Sequence, residues 1–124
     1  MREILFRGKM DDGEWVEGFL VKMFGVYHII DKDDENTAYE VIPETVGQYT
    51  GLKDKNGQRI FEGDIVKTDK FSEPNKQYII KYDLQFGAFI GQDRYNVYFV
   101  TFDGDSGDFE VIGNITDNPE LLEK

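Results

Sequence analysis

The serine best placed for nucleophilic chemistry lies in the segment Gly104-Asp105-Ser106-Gly107. Catalysis by such a serine needs a general base, a group that orients this base and an oxyanion hole. The chain offers a single histidine, His28, as the base. Asp, Ser and Gly also dominate turns, and the segment lies between two predicted strands, which end at Phe102 and start at Phe109. The sequence therefore predicts a turn at this position and no protease activity.

Acidic residues crowd two segments in which their oxygens are candidates for calcium ligands. These residues are Asp31, Asp33, Asp34 and Glu35 in one segment, and Asp103, Asp105 and Asp108 in the other. Neither segment follows the twelve-residue calcium loop, which requires Gly at its sixth position and Glu at its twelfth. An ordinary zinc site is excluded because the chain has no Cys and one His. Because glycine-rich phosphate and dinucleotide motifs are also missing, we expect no metal and no other cofactor.

Glu62 and Asp64 form a carboxylate pair of the kind that general acid–base catalysis uses. In a chain with 25 acidic residues among 124, such pairs arise by chance. Strand alternation places the two side chains on the same side of a strand without implying a pocket. The sequence therefore predicts a protein that is not an enzyme.

The formal net charge of −11 limits the partners that the protein can have. This charge repels phosphate backbones, so we expect no direct binding to duplex nucleic acid. Two interpretations of the acidic surface stay open: a solvated surface that keeps the protein soluble, or a mimic of nucleic acid. The lack of Cys fits a reducing cytoplasm. We expect neither a signal peptide nor a membrane-spanning segment, because no apolar stretch is long enough.

Turn signals at intervals of roughly ten residues favour an all-β barrel or sandwich of about nine short strands. The strongest signal is Asn56-Gly57, which predicts a hairpin with a type I′ turn because both residues tolerate positive φ. The segment Asp11-Asp12-Gly13 predicts a second hairpin. Together these patterns predict a mainly β fold.

Two short helices are expected beside the strands. Pro43 should end a strand because it lacks an N–H for the ladder, and residues 43–45 should then form one helical turn. A second short helix should begin at Pro119, capped by Asn118 or Asp117.

Four segments of the chain closely resemble the YopX-like family of phage and prophage proteins. They are Arg2-Glu3-Ile4-Leu5-Phe6-Arg7-Gly8-Lys9, the run from Pro43 to Asp54 followed by Phe61-Glu62-Gly63-Asp64, and the run from Ile112 to Leu122. The resemblance implies a mainly β protein with an SH3-like barrel or roll and no assigned biochemical activity. We expect an N-terminal β subdomain over residues 1–46 and the SH3-like barrel with its helical tail over residues 47–124, together forming one compact unit.

The predicted function is that of a phage or prophage accessory protein without catalytic activity, located in the cytoplasm of the bacterial host. It would act through protein–protein contact or self-assembly, with a second copy of itself or an unknown phage or host protein as partner. The alternative is an acidic decoy that mimics nucleic acid and binds a host enzyme that handles DNA or RNA. The first mode should survive added salt, whereas binding by a decoy should not.

The candidate interaction surface consists of Trp15, Tyr49, Glu62, Asp64, Leu121 and Leu122. Trp15 has two open interpretations, a core residue or a binding platform. A helix as short as the one from Pro119 needs support, so its two leucines must dock on their own barrel or on a neighbour. The high aromatic content and these leucines together predict a closed homo-oligomer.

Overall fold

Antiparallel β-strands make up most of the chain, which confirms the predicted mainly β fold. The computed structural model describes residues 4–68, 76–85, 87–93, 98–100 and 109–122. The strands within these residues are β1 Phe6–Lys9, β2 Trp15–Met23, β3 Val26–Asp31, β4 Ala38–Glu40, β5 Ile42–Lys53, β6 Arg59–Phe61, β7 Asp64–Thr68, β8 Lys76–Asp83, β9 Ala88–Gln92, β10 Tyr98–Val100 and β11 Phe109–Asn114. A 3-10 helix covers Pro119–Leu122. In these ranges we find no helix with the length and apolar character that crossing a bilayer requires.

The chain divides into two units, Met1–Tyr49 and Thr50–Lys124. The division falls inside β5, whose first part pairs with β1 and whose last part leads into the hairpin with β6. The boundary predicted after residue 46 lies in the same strand.

The first unit is a sheet with strand order β4-β3-β2-β1-β5. β4 and β5 stand at opposite ends of this strand order, yet only Val41 separates them in the sequence. The sheet must therefore curl strongly to bring these two strands together. Val41 is buried, and its N–H donates to the carbonyl of Tyr27 on β3 at 3.1 Å. Gly18 permits the curl, because a Cβ atom there would lie 1.8 Å from the carbonyl oxygen of Ile30.

A wide bulge interrupts β5 where a helical turn was expected. Lys9 pairs with Ile42 while Arg7 pairs with Gly47, so β5 carries extra residues opposite β1. The hydroxyl of Thr45 accepts the Lys9 N–H at 2.8 Å and donates to the Ile42 carbonyl at 2.6 Å. The predictions of a strand end at Pro43 and a helix over residues 43–45 were therefore wrong. A bulge tolerates Pro because the ladder does not need its N–H, and a hydroxyl restores the lost hydrogen bonds.

The hairpin predicted at Asn56-Gly57 joins β5 to β6, but its turn is not type I′. The N–H of Gly57 donates to the Asp54 carbonyl at 3.0 Å, and the Asp54 N–H donates to Gln58 at 2.8 Å. Gly57 has a φ of 81°, as predicted. Among the described residues the one non-glycine with positive φ is Phe24, so Asn56 is not left-handed. The loop is instead a three-residue connection in which a type I turn precedes a left-handed glycine.

The second unit contains a sheet with strand order β10-β9-β8-β7-β11. Its core joins buried side chains from β6, β7, β8 and β11: Ile60, Val66, Tyr78, Ile80 and Phe109. The ladders found among the described residues leave this sheet open, so a closed SH3-like barrel is not confirmed.

The predicted C-terminal helix is present as one 3-10 turn from Pro119 to Leu122. Asn118 does not cap it in the expected way. Its side-chain oxygen accepts the N–H of Asn114 at 3.2 Å, and its N–H donates to the Asn114 carbonyl at 2.8 Å. These bonds fold the segment after β11 back on itself and position the start of the helix.

Candidate functional site

Asp54, in the family-like segment, is a buried structural carboxylate. Its Oδ1 accepts the N–H groups of Asn56 and Gln58, both at 2.9 Å, within its own hairpin. Its Oδ2 accepts the N–H of Val111 on β11 at 3.0 Å, and the neighbouring Lys55 N–H donates to the Phe109 carbonyl at 2.9 Å. This hairpin therefore binds the outer edge of β11, where exposed backbone would otherwise invite pairing with another strand.

The carboxylate pair Glu62 and Asp64 does not form an open acid–base site. The Asp64 side chain is 1% exposed, and its Oδ2 accepts the N–H of Phe61 at 2.7 Å across the turn between β6 and β7. Glu62 lies half-buried in the same turn. The expectation that Asp64 lies on an interaction surface was wrong, because its side chain stabilises the turn from the inside.

Tyr49 and Trp15 lie in the first unit, and neither is an exposed platform. Tyr49 is 5% exposed, so its predicted place on an interaction surface was also wrong. Trp15 is half-buried on β2 beneath two cations of β1, with the Arg7 guanidinium 4.8 Å and the Lys9 ammonium 5.8 Å from its ring centroid. Such cation–π contacts stabilise the strand pair.

The remaining predicted surface residues lie on the 3-10 helix. Leu121 is half-buried there, and the side chain of Leu122 lies outside the described part of the structure. The Ser106 segment and the acidic residues 103–108 also lie outside the described residues. The proposed base for that serine, His28, lies on β3 with its Nδ1 3.0 Å from the Val26 carbonyl oxygen.

The acidic segment after β3 is an ordered turn. Asp31 accepts the N–H of Asp33 at 2.8 Å, and Asp34 accepts the Thr37 hydroxyl at 2.6 Å and the Asn36 N–H at 3.1 Å. These bonds to Asp34, that of Thr37 first, lower its pKa below the ordinary value of 3.8. Within the described ranges, no three His, Cys, Asp or Glu residues cluster in a way that could hold a metal ion.

The most exposed apolar side chains of the described residues lie at the tips of two hairpins. Phe24, between β2 and β3, has a relative exposure of 102%, and Leu84, between β8 and β9, has 89%. Phe24 and Gly25 have φ values of 53° and 81°, which are those of a type I′ turn. A bulky residue is rare in this left-handed conformation, which makes Phe24 a candidate functional residue.

A cleft opens in the same unit, close to this hairpin. Its volume is about 320 Å³, and its walls are Leu20 on β2, Tyr27 on β3, and Pro43 and Val46 in the bulge of β5. The curl of the sheet and the bulge therefore bring together side chains that are far apart in the sequence. A pocket of this size lies at the lower end of those that hold small ligands, at roughly 300–1,000 Å³.

Two charged side chains flank these features. Lys22 lies directly across from Tyr27 in the ladder, with its ammonium 5.3 Å from the tyrosine ring centroid. Glu44 follows Pro43 in the bulge, and both Lys22 and Glu44 are exposed. Because Tyr27 and Pro43 are both walls of the cleft, the cleft has one positive and one negative neighbour.

The sequence reasoning missed Phe24 and the cleft. The signal for Phe24 was a two-residue connection, Phe24-Gly25, between two alternating runs, in which Phe occupies a position that favours Asn or Gly. No local signal indicates the cleft, because its walls come from three strands.

Comparisons with known proteins support one assignment. The crystal structure of protein EF1440 from Enterococcus faecalis is similar to this chain, with a TM-score of 0.59 and 30% sequence identity over 98% of this chain and 99% of that chain. No curated protein matches. The family model described as YopX protein matches residues 5–123, which confirms the resemblance of the sequence. The chain belongs to the YopX family.

Proposed function

We propose that the protein is a non-catalytic accessory protein of a phage or prophage that acts through contact with another protein. The observation that carries the proposal is the pair of hairpin tips, each with a large apolar side chain in solvent, Phe24 and Leu84. Single exposed apolar residues are common on protein surfaces. An aromatic ring at full exposure on a left-handed residue adds nothing to the core, so contact with a partner is the better explanation.

The hydrogen bonds of two buried aspartates support the proposed absence of catalysis. Asp54 and Asp64 both accept hydrogen bonds from backbone N–H groups of neighbouring turns. A carboxylate held in this way is not placed to exchange protons with a substrate. The phage or prophage origin and the cytoplasmic location are part of the proposal and have the family resemblance as their support.

The SH3-like roll is also part of the proposal, for the second unit. Its support is the strand order, in which β7 to β10 pair in succession and β11 returns to pair with β7. A sheet whose last strand pairs with its first strand in sequence can curve into a roll.

The test compares the parent protein with a Phe24→Ser/Leu84→Ser double variant. Each protein is immobilised and exposed to extracts of the bacterial host at low and high salt, and its own mass is measured by light scattering. We expect the parent to retain a protein, or to self-associate, in a way that survives salt and that the double variant lacks. Equal behaviour of the two proteins would contradict the proposal.

The acidic decoy is the second candidate, and the turn after β3 supports it. Hydrogen bonds fix the turn, and the Asp33 side chain is 81% exposed beside Asp34 and Glu35, with its Oδ2 3.5 Å from the Lys32 ammonium. An ordered array of carboxylates is what a mimic of phosphates needs. A partner bound in this way should be released as salt rises, and an Asp33→Asn/Glu35→Gln variant should lose it while the Phe24→Ser/Leu84→Ser variant retains it.

A further inference from the structure

The tip of the β5–β6 hairpin carries the one asparagine of the chain that is followed by glycine. The other asparagines precede Thr, Lys, Val, Ile and Pro. An asparagine loses ammonia when the backbone nitrogen of the next residue attacks its side-chain carbonyl carbon. Glycine permits this attack most readily, because it has no Cβ atom to crowd the forming ring. Asn56 and Gly57 are both exposed, so the ring has space to form and water reaches it.

Hydrogen bonds hold the reacting nitrogen while the hairpin is closed. The N–H of Gly57 donates to the Asp54 carbonyl at 3.0 Å, and the N–H of Asn56 donates to Asp54 Oδ1 at 2.9 Å. The attack therefore has to wait until the hairpin opens. Segments with few buried contacts open most often, and the residues from Lys55 to Gln58 are all exposed. The rate of the reaction should follow the opening of this tip.

We propose that Asn56 is a site of spontaneous deamidation and that the modified hairpin separates from β11. The Gly57 nitrogen forms a bond to the side-chain carbonyl carbon of Asn56. The bond from that carbon to its NH₂ group breaks, and ammonia leaves with the proton of the Gly57 nitrogen. Water then opens the succinimide ring at either carbonyl group. One product is aspartate, and the other is isoaspartate, in which the backbone runs through the former side chain.

Isoaspartate at position 56 is incompatible with the hydrogen bonds that attach the hairpin to β11. It adds a backbone atom inside a turn whose N–H groups at Asn56 and Gln58 both donate to Asp54 Oδ1. It also places a new carboxylate near that of Asp54, and like charges repel. Oδ2 of the same Asp54 accepts the Val111 N–H at 3.0 Å, so displacement of Asp54 releases β11. The uncovered edge of β11 is then free to pair with another strand.

Peptide mapping by mass spectrometry tests the site in the full chain, aged in warm, mildly alkaline buffer. We expect conversion at Asn56 before any other asparagine, and ion exchange should separate a form one charge more negative than −11. Asn56→Gln should stay unconverted, because glutamine would have to form a larger ring. Asp54→Asn should convert about fivefold faster or more, because it weakens the closed hairpin. Equal rates at all asparagines, or an unchanged rate in Asp54→Asn, would overturn the proposal.

Hydrogen exchange of the separated forms tests the release of β11. The isoaspartate form should lose the protection of the Val111 amide. Asn56→Asp is the matched control, since it carries the new charge without the added backbone atom, and it should keep most of that protection. The Gly63 amide donates to the Ile80 carbonyl at 2.8 Å and should stay protected in both forms, which excludes global unfolding. Full protection of Val111 in the isoaspartate form would show that the hairpin stays attached and would refute the release.

Discussion

Asp54 shows how one carboxylate connects a hairpin to a distant strand. It accepts the N–H groups of Asn56, Gln58 and Val111. Asp54→Asn should destabilise the protein by about 1–3 kcal/mol, because a side-chain NH₂ cannot accept an N–H and one buried donor is left unpaired. Urea unfolding measures the change. Asp33→Asn, at an exposed position, is the control and should shift the free energy of unfolding by less than about 0.5 kcal/mol. Equal unfolding midpoints for the two variants would contradict this role of Asp54.

Asp34 should have a pKa below the ordinary value for an aspartate. The Thr37 hydroxyl and then the Asn36 N–H favour its ionised form and lower its pKa below 3.8. A lowered pKa in the folded state stabilises the protein above the unfolded pKa, and this contribution is lost as the pH falls through the folded pKa. Carboxyl ¹³C chemical shifts measured against pH should show the low midpoint, and Thr37→Ala should raise it. If Thr37→Ala left the midpoint unchanged, the low pKa of Asp34 would have a cause other than the Thr37 hydroxyl.

Phe24 is predicted to reduce stability. Asn tolerates the left-handed conformation at the first position of a type I′ turn, so Phe24→Asn should stabilise the isolated protein by about 1 kcal/mol. Leu84→Asn is the control, since Leu84 has no positive φ and should change little. Urea unfolding at low protein concentration checks both variants. A Phe24→Asn protein that is less stable than the parent would show that the ring contributes to its own unit.

At the scale of elements, the β5–β6 hairpin depends on Gly57. Apart from Gly57 itself and its two chain neighbours, no heavy atom of the described residues lies within 4 Å of a Cβ built at Gly57, so a substitution there meets backbone strain alone. Gly57→Val should destabilise the protein by about 1–2 kcal/mol. Gly57→Asn should cost less, because Asn enters the left-handed region more readily. If both variants melt at the parent's temperature, the left-handed glycine is not required.

Hairpins were predictable from the sequence because their signals are local, whereas turn types and bulges were not. Asn56-Gly57 marks the position of the hairpin correctly. The connection is longer than the dipeptide predicts, and in this longer connection Asp54 contacts β11. Pro43 suggested a strand end because a central ladder excludes it. The hydroxyl of Thr45, which bonds Lys9 across the sheet, allows the strand to continue.

The candidate site was largely hidden from sequence reasoning for a related reason. Burial of Tyr49 and Asp64 follows from the packing of strands whose order no local pattern gives. The cleft exists because the sheet curls until β4 and β5 adjoin, which places the bulge near Leu20 and Tyr27. Of these features of the candidate site, the exposure of Phe24 alone had a local signal in the sequence. This signal was the two-residue turn at Phe24-Gly25.

At the scale of the whole molecule, the charge of −11 should make stability sensitive to salt. Repulsion between like charges destabilises a compact state, and at about 0.1 M salt it is screened beyond about 10 Å. The melting temperature should therefore rise with NaCl. We expect the same rise in Phe24→Ser. Because this variant cannot make the proposed contact, an equal rise would show that screening of the charge, and not self-association, raises the melting temperature.

Calcium should act on this protein only through its ionic strength. In the described residues no cluster of ligands for a metal forms, and Asp31 and Asp34 already accept hydrogen bonds within their turn. Melting curves in CaCl₂ and NaCl at matched ionic strength should coincide, and a chelator should change neither. A further rise of several degrees in CaCl₂ would show a calcium site. If Asp33→Asn/Asp34→Asn removed that extra rise, the site would be the turn after β3; if the rise persisted, the acidic residues 103–108 would be the place to look.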